Sequence, residues 1–187
     1  MTPGVGVAEG ATWGRFWGAG GGPPSVRAAG RRVVEHFSDN ITNKIDAKGR
    51  VSVPAKFRQV LTAQGAQTVF LKRADHQKAI EGFGPLLRRQ LDERLAQLDP
   101  LSLEYDALAN SVFGRSTELS WDSEGRIKLP EEFLKFAGIS DQVVFVGLGR
   151  KFQIWAPAEH AAWEKRADEI VAGSAGLLAA RPGGGVQ

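Results

Sequence analysis

The chain has 187 residues, 24 Lys and Arg against 21 Asp and Glu, a formal net charge of +3 and no cysteine. That length suits one compact domain or two very small ones, and the missing cysteine excludes disulfides and thiolate metal sites. The longest apolar stretch, VVFVGLG from Val143 to Gly149, is far short of the ~20 residues a membrane-spanning helix needs, so a cytoplasmic protein is expected.

Glycine marks the ends. Nine fall in residues 1–36 and five in 173–187, against nine in the 136 residues between. Both ends are expected to be disordered tails, too glycine-rich to offset the entropy of ordering. The leader also carries TWGRFW, with Trp13, Phe16 and Trp17 at helical spacing; an incidental cluster is the expected reading and a docking peptide the alternative. The ordered body is expected to begin near Phe37. Ile41 and Ile45 alternate with Thr42 and Lys44, and Val51 and Val53 with Arg50 and Ser52, which predicts two short strands of period two. Asn43 breaks the inward face of the first. Between them Asp46 caps amides and Gly49 supplies a positive φ. Pro54 ends the second strand, Phe57, Val60 and Leu61 take helical spacing, and TVFLK (Thr68 to Lys72) predicts another strand.

Residues 85–115 predict a helical insert. Leu87, Leu91, Leu95 and Leu98 form an apolar stripe that Asp99-Pro100 breaks into two helices. Then the opening order returns: LSWDSEGRIKL as strand, turn and strand, Pro130 as the break, EEFLKFAGIS as a helix closed by Gly138, QVVFVG and KFQIW as strands. A last helix is predicted from Pro157 to Gly173, with Trp163 and Ile170 packing inward. Over Asp46 to Leu61, five of sixteen positions match their partners in type: Asp46/Asp122, Gly49/Gly125, Arg50/Arg126, Pro54/Pro130 and Phe57/Phe133. Matches in register with the same order of elements are read as an internal duplication. The expected division is a leader at 1–36, a first repeat at 37–84, the insert at 85–115, a second repeat at 116–159, and a C-terminal helix and tail at 160–187.

No constellation for catalysis is found. His36, His76 and His160 are isolated and lack metal-ligand spacing. Gly4, Gly6 and Gly10 miss the dinucleotide fingerprint by one residue, and no phosphate loop, nucleophile elbow or carboxylate pair is present. The expectation is a non-enzyme with no cofactor, metal or small-molecule substrate.

The repeated D-x-x-G-R turn has a plain structural explanation, in which arginine simply salt-bridges aspartate. Two observations favour a binding role. The arginine follows the turn glycine in both copies, beside Val51 and Ile127 that point the other way, so both guanidinium groups face outward. The aspartate holds each one extended without burying it. The copies also differ in charge. Residues 37–65 hold Lys44, Lys48, Arg50, Lys56 and Arg58 against Asp39 and Asp46, net +3, whereas residues 117–141 hold Arg126, Lys128 and Lys135 against Glu118, Asp122, Glu124, Glu131, Glu132 and Asp141, net −3. The basic edge suits phosphates; the acidic one suits a basic neighbour.

At these residues IDAKGRVSVPAKFRQVL resembles the first signature of the MraZ family, relatives of the AbrB-type swapped-hairpin DNA-binding proteins. The resemblance runs from about Phe37 to about Trp163 and includes the insert; the glycine-rich leader departs from it. It implies an α+β fold: a pseudo-two-fold swapped-hairpin β-barrel, AbrB-like and duplicated in one chain, with a helical insert and a C-terminal helix. It also implies a nucleoid-associated regulator that binds short direct repeats in double-stranded DNA upstream of the division and cell-wall gene cluster, as a ring-shaped homo-oligomer. Arg50 and Arg126 are then the expected DNA contacts, Asp46 and Asp122 orient them, and Lys48 and Lys44 are phosphate partners. Independently, each repeat is under ~50 residues and near the limit for an unaided core, so the two halves are expected to share one. The rival readings are an AbrB-like antitoxin module, against which the duplication counts, and a structural ring protein without a DNA role.

Overall fold

The computed structural model describes residues 36–174; Trp13, Phe16 and Trp17 and the chain beyond 174 lie outside them. The first predicted hairpin forms as β1 (Asn40–Lys44) and β2 (Arg50–Ser52), the second as β5 (Ser116–Ser120) and β6 (Arg126–Lys128). Gly49 and Gly125 take φ of 74° and 76° at the two turns, where a Cβ would crowd the following carbonyl. Pro54 and Pro130 follow β2 and β6 and lead into α1 (Ala55–Ala63) and α4 (Glu131–Ala137). Proline cannot donate to a strand ladder, yet its fixed φ suits a helix start.

The remaining strands are β3 (Thr68–Arg73), β4 (Ala79–Phe83), β7 (Gln142–Gly147) and β8 (Lys151–Trp155), and α5 spans Pro157–Gly173. β4 carries no clear sequence signal, because AIEGF includes a charge and a glycine. Tertiary packing makes it a strand. It is buried at every position, between β3 and β8, and the Phe152 ring occupies the space where a Gly82 side chain would stand.

Six strands form one sheet in the order β1-β7-β8-β4-β3-β5, and β2 pairs with β6 as a separate two-stranded ribbon, with Val51 opposite Ile127. Corresponding strands hold corresponding places: β1 and β5 at the edges, β7 and β3 next, β8 and β4 at the centre. Each edge strand pairs antiparallel with a strand of the other half, β1 with β7 and β5 with β3. The closed barrel expected from the resemblance is not formed. The edge strands lie at opposite ends of the order, and β2 and β6 are three residues each before proline stops them, too short to close the gap between those edges. An isolated bridge, Ile45 to Val51, links the end of β1 to β2.

The core lies where the ribbon and the helices α1 and α4 meet the sheet. Val51, Val53, Ile127 and Leu129 enter it from the ribbon side, and Phe57, Leu61 and Phe133 from the helices. Phe37, Phe57, Phe145 and Phe152 meet there at centroid separations of 5.0–6.1 Å. Near-complete burial of such rings removes the apolar area that drives folding, and here it fixes the back of the ribbon. Asn43, on the inward-leaning side of β1, donates its side-chain amide to the Ser52 carbonyl at 2.7 Å, which accounts for a polar residue at that position.

In the insert, α2 (Pro85–Leu95) and α3 (Leu103–Ala109) flank Asp99-Pro100, and a π-helical turn follows at Asn110–Gly114. Leu95 is buried, while Leu87, Leu91 and Leu98 are half-buried. Trp163 stacks on Trp155 at 6.1 Å, as expected of an inward residue. Ile170 does not pack inward: it is 51% exposed, because beyond Trp163 the helix runs past the side chains it could cover.

Candidate nucleic-acid interface

Each turn is organised by its aspartate. Asp46 Oδ1 accepts from the Lys48 and Arg50 amides, both at 2.9 Å, and Oδ2 accepts from Arg50 Nε and Nη2, both at 2.7 Å. Asp122 repeats the pattern: Oδ1 accepts from the Glu124 and Arg126 amides at 3.0 and 2.9 Å, and Oδ2 from Arg126 Nε and Nη2, both at 2.9 Å. One carboxylate thus shapes the turn with one oxygen and aims a guanidinium with the other, a charge-assisted arrangement of high directional precision. The hydrogen bond from Arg50's own amide, followed by that from its guanidinium, holds Asp46 down at about 2. Asp122 is lowered for the same first reason, the Arg126 amide.

The two turns are joined across the ribbon. The Gly125 carbonyl accepts from the Val53 amide at 2.9 Å, and the Gly49 carbonyl from the Leu129 amide at 3.1 Å. Val51 and Ile127 are fully buried, so Arg50, Ser52, Arg126 and Lys128 take the opposite, outward face. In the register Arg50 stands opposite Lys128, and Ser52 opposite Arg126. Arg126 is raised above its ordinary value, first by the Asp122 carboxylate that accepts from it.

The structure therefore brings Asp46, Lys48, Arg50, Asp122 and Arg126 onto one short ribbon and its turns. Lys44 stands apart, exposed at the end of β1 opposite Gln142. Lys44 and Lys48 make no ion pair among the described residues. The copies differ in how their arginines are held. Arg126 Nη1 is bonded by Glu124 at 2.6 Å, so all three guanidinium nitrogens are engaged, whereas Arg50 Nη1 has no partner among the described residues. Lys128 lies outside the repeated motif, yet the alternation that sends Arg126 outward sends Lys128 outward as well, opposite Arg50. No group of residues suited to a metal ion is found among the described residues, and none of their helices is long and apolar enough to cross a membrane.

These features define an α+β protein with two like Asp–Arg turns set side by side on one antiparallel ribbon. A family model described as "MraZ protein, putative antitoxin-like" matches residues 112–175. The chain is 46% identical over 158 residues to a transcriptional regulator MraZ of Parvibaculum lavamentivorans, covering 81% of this chain and 98% of that protein. A Beijerinckia indica protein of the same name is 45% identical over 126 residues, covering 67% of this chain and 74% of its own length. One from Rickettsia bellii is 42% identical over 121 residues, covering 65% and 81%. The chain belongs to the MraZ family.

Proposed function

We propose that this chain is a transcriptional regulator that binds double-stranded DNA through the outward face of the β2–β6 ribbon and its two Asp–Arg turns. The observation that carries this reading is the pair of preorganised guanidinium groups on one face. Each is extended by a carboxylate that also builds its turn, and both share a ribbon whose back is locked into the core. Arg50 and Lys128 face each other across that ribbon, and like charges directly opposite are unfavourable on their own. A polyanion laid along the face relieves that repulsion and draws on Lys48 and Lys44 as phosphate partners. Arginine is suited to read guanine edges in the major groove, which a two-stranded ribbon is narrow enough to enter.

In this reading the two halves are AbrB-like repeats, 37–84 and 116–159, whose hairpins interleave as the exchanged pairing of β1 and β5 suggests. The target is a set of short direct repeats upstream of the division and cell-wall gene cluster, including the chain's own operon, and the outcome is repression. One ribbon offers few cations, and specific binding usually needs several phosphate contacts. A ring of copies engaging several repeats at once supplies them through effective concentration. Such a regulator works in the cytoplasm, associated with the nucleoid. The deciding experiment is a gel shift against DNA upstream of the chain's own gene, at several salt concentrations. Retarded complexes that weaken steeply with salt support the reading; equal affinity for scrambled DNA, or no shift, overturns it.

A further inference from the structure

Arg58 lies outside both Asp–Arg motifs, on α1 of the first half, yet its side chain reaches the turn of the second. Its Nε donates to the Val53 carbonyl at 3.2 Å, and Val53 in turn donates its amide to the Gly125 carbonyl. The guanidinium then covers Gly125 so closely that a Cβ built there would lie 2.6 Å from Cζ and Nε and 2.9 Å from Nη1 of Arg58. Gly125 is buried by this contact in a turn that is otherwise exposed. The corresponding residue of the other half is Leu134, an apolar side chain packed against the core, and Gly49 has no side chain within 4 Å of its Cβ position. The second turn therefore carries a cation borrowed from the first half, and the first turn receives none in return.

Arg58 makes no ion pair among the described residues, and its Nη1 and Nη2 have no protein partner there. Arg126, in the turn that Arg58 covers, has every nitrogen engaged by Asp122 and Glu124. At the second turn three of Arg126's five N–H groups are thus taken, leaving one on each Nη, whereas both Nη groups of Arg58 are open to an incoming anion among the described residues. Its Nε bond and its packing on Gly125 fix the side chain in advance, so little rotamer entropy remains to be lost on binding. We propose that Arg58 is a DNA-phosphate contact at the second turn, supplied by the first half to a turn whose own arginine is occupied by acids. This rests on the DNA-binding reading above and adds a residue to it. It also narrows the charge difference between the copies, because part of the first half's positive charge is delivered to the second half's turn.

The test is the salt dependence of binding to the upstream DNA, measured with the full chain and with Arg58→Met and Arg58→Lys. Methionine keeps an apolar stem over Gly125 without the charge, and lysine keeps the charge. Each neutralised phosphate contributes about 0.9 to the slope of log affinity against log salt. Arg58→Met is expected to lower that slope by about this amount per engaged chain and to weaken specific and non-specific DNA alike. Arg58→Lys is expected to keep the slope. A slope unchanged in Arg58→Met, with circular dichroism showing a folded protein and Arg50→Ala weakening specific binding, overturns the proposal while leaving the DNA reading intact. If Arg58→Met unfolds, Arg58→Gln is read by the same slope criterion. Failure of the unaltered chain to bind any DNA removes the DNA reading and this proposal with it.

Discussion

At the residue scale, the aspartates and their arginines set the predictions. Asp46 is drawn from its ordinary 3.8 to about 2. A carboxyl lowered by folding contributes stability above its unfolded value, and that contribution is lost as pH falls through the folded one. The turn should thus be intact above about pH 4 and lose its brace between 3.8 and 2. A carbon-detected titration of Asp46 should show a midpoint near 2, rising only part of the way towards 3.8 in Arg50→Ala, because the backbone amide that contributes most remains. Asp46→Asn makes the chain more positive, yet it should weaken specific DNA binding by releasing Arg50 from its pose; stronger binding to the specific site would contradict the bracing role. Arg50→Ala should cost more affinity than Arg126→Ala, roughly tenfold to a hundredfold for a lost base contact, since among the described residues Arg50 Nη1 has no partner while Glu124 holds Arg126. Glu124→Gln should then strengthen binding, and the two arginine variants measured together with it in one titration series decide whether the occupied nitrogen matters. The Asp–Arg pairing was legible in the sequence because both partners lie within five residues. The Arg58–Gly125 contact was not, because no local spacing links a helix of one half to a turn of the other.

At the element scale, the two hairpins and both prolines were legible because alternation, turn chemistry and proline all act locally. β4 was not. Its residues become a strand through burial between β3 and β8, with Glu81 bonded by Lys151 at 2.5 Å and Lys72 nearby at 3.6 Å. A charge and a glycine inside a strand read as a loop until those distant partners are known. Gly82 gives the contrast that tests this account. A methyl group there would meet the Phe152 ring at 2.2 Å, and Phe152 is fully buried, so neither side has room to yield. Gly82→Ala should destabilise by about 1–3 kcal/mol through overpacking. Gly49→Ala meets only the Leu129 carbonyl at 4.0 Å and should cost about 1–2 kcal/mol, from its left-handed backbone alone. Thermal unfolding of the two variants separates the causes: Gly82→Ala should disturb near-ultraviolet signals from the aromatic core, and Gly49→Ala should not. The closed barrel failed as an expectation for a matching reason, since whether edge strands meet depends on lengths and crossings that two short alternating segments do not encode.

At the scale of the whole molecule, the core is shared, as the small size of each half required. Phe37 and Phe57 from the first half pack on Phe145 and Phe152 from the second, so neither half should fold when expressed alone. Phe37, 1% exposed, is the first core residue of the described chain, and with Phe145 and Phe152 it surrounds Phe57. Deleting residues 1–35 should therefore leave the melting temperature within a few degrees of the full chain, whereas a large drop would mean that Trp13, Phe16 and Trp17 dock after all. The same deletion probes assembly. Leu101 and Leu103 of the insert are 93% and 87% exposed, and in the ring proposed above side chains of this kind would lie between copies. Light scattering of the truncated chain should report the same large particle as the full chain. Leu101→Ser with Leu103→Ser should reduce the particle's size while the melting transition of each copy remains cooperative. DNA affinity should fall with particle size even though every ribbon residue is intact, because linked ribbons raise the effective concentration of one another. Unchanged affinity in a dissociated, folded variant would show that a single ribbon suffices, and the case for a ring on repeated sites would be lost.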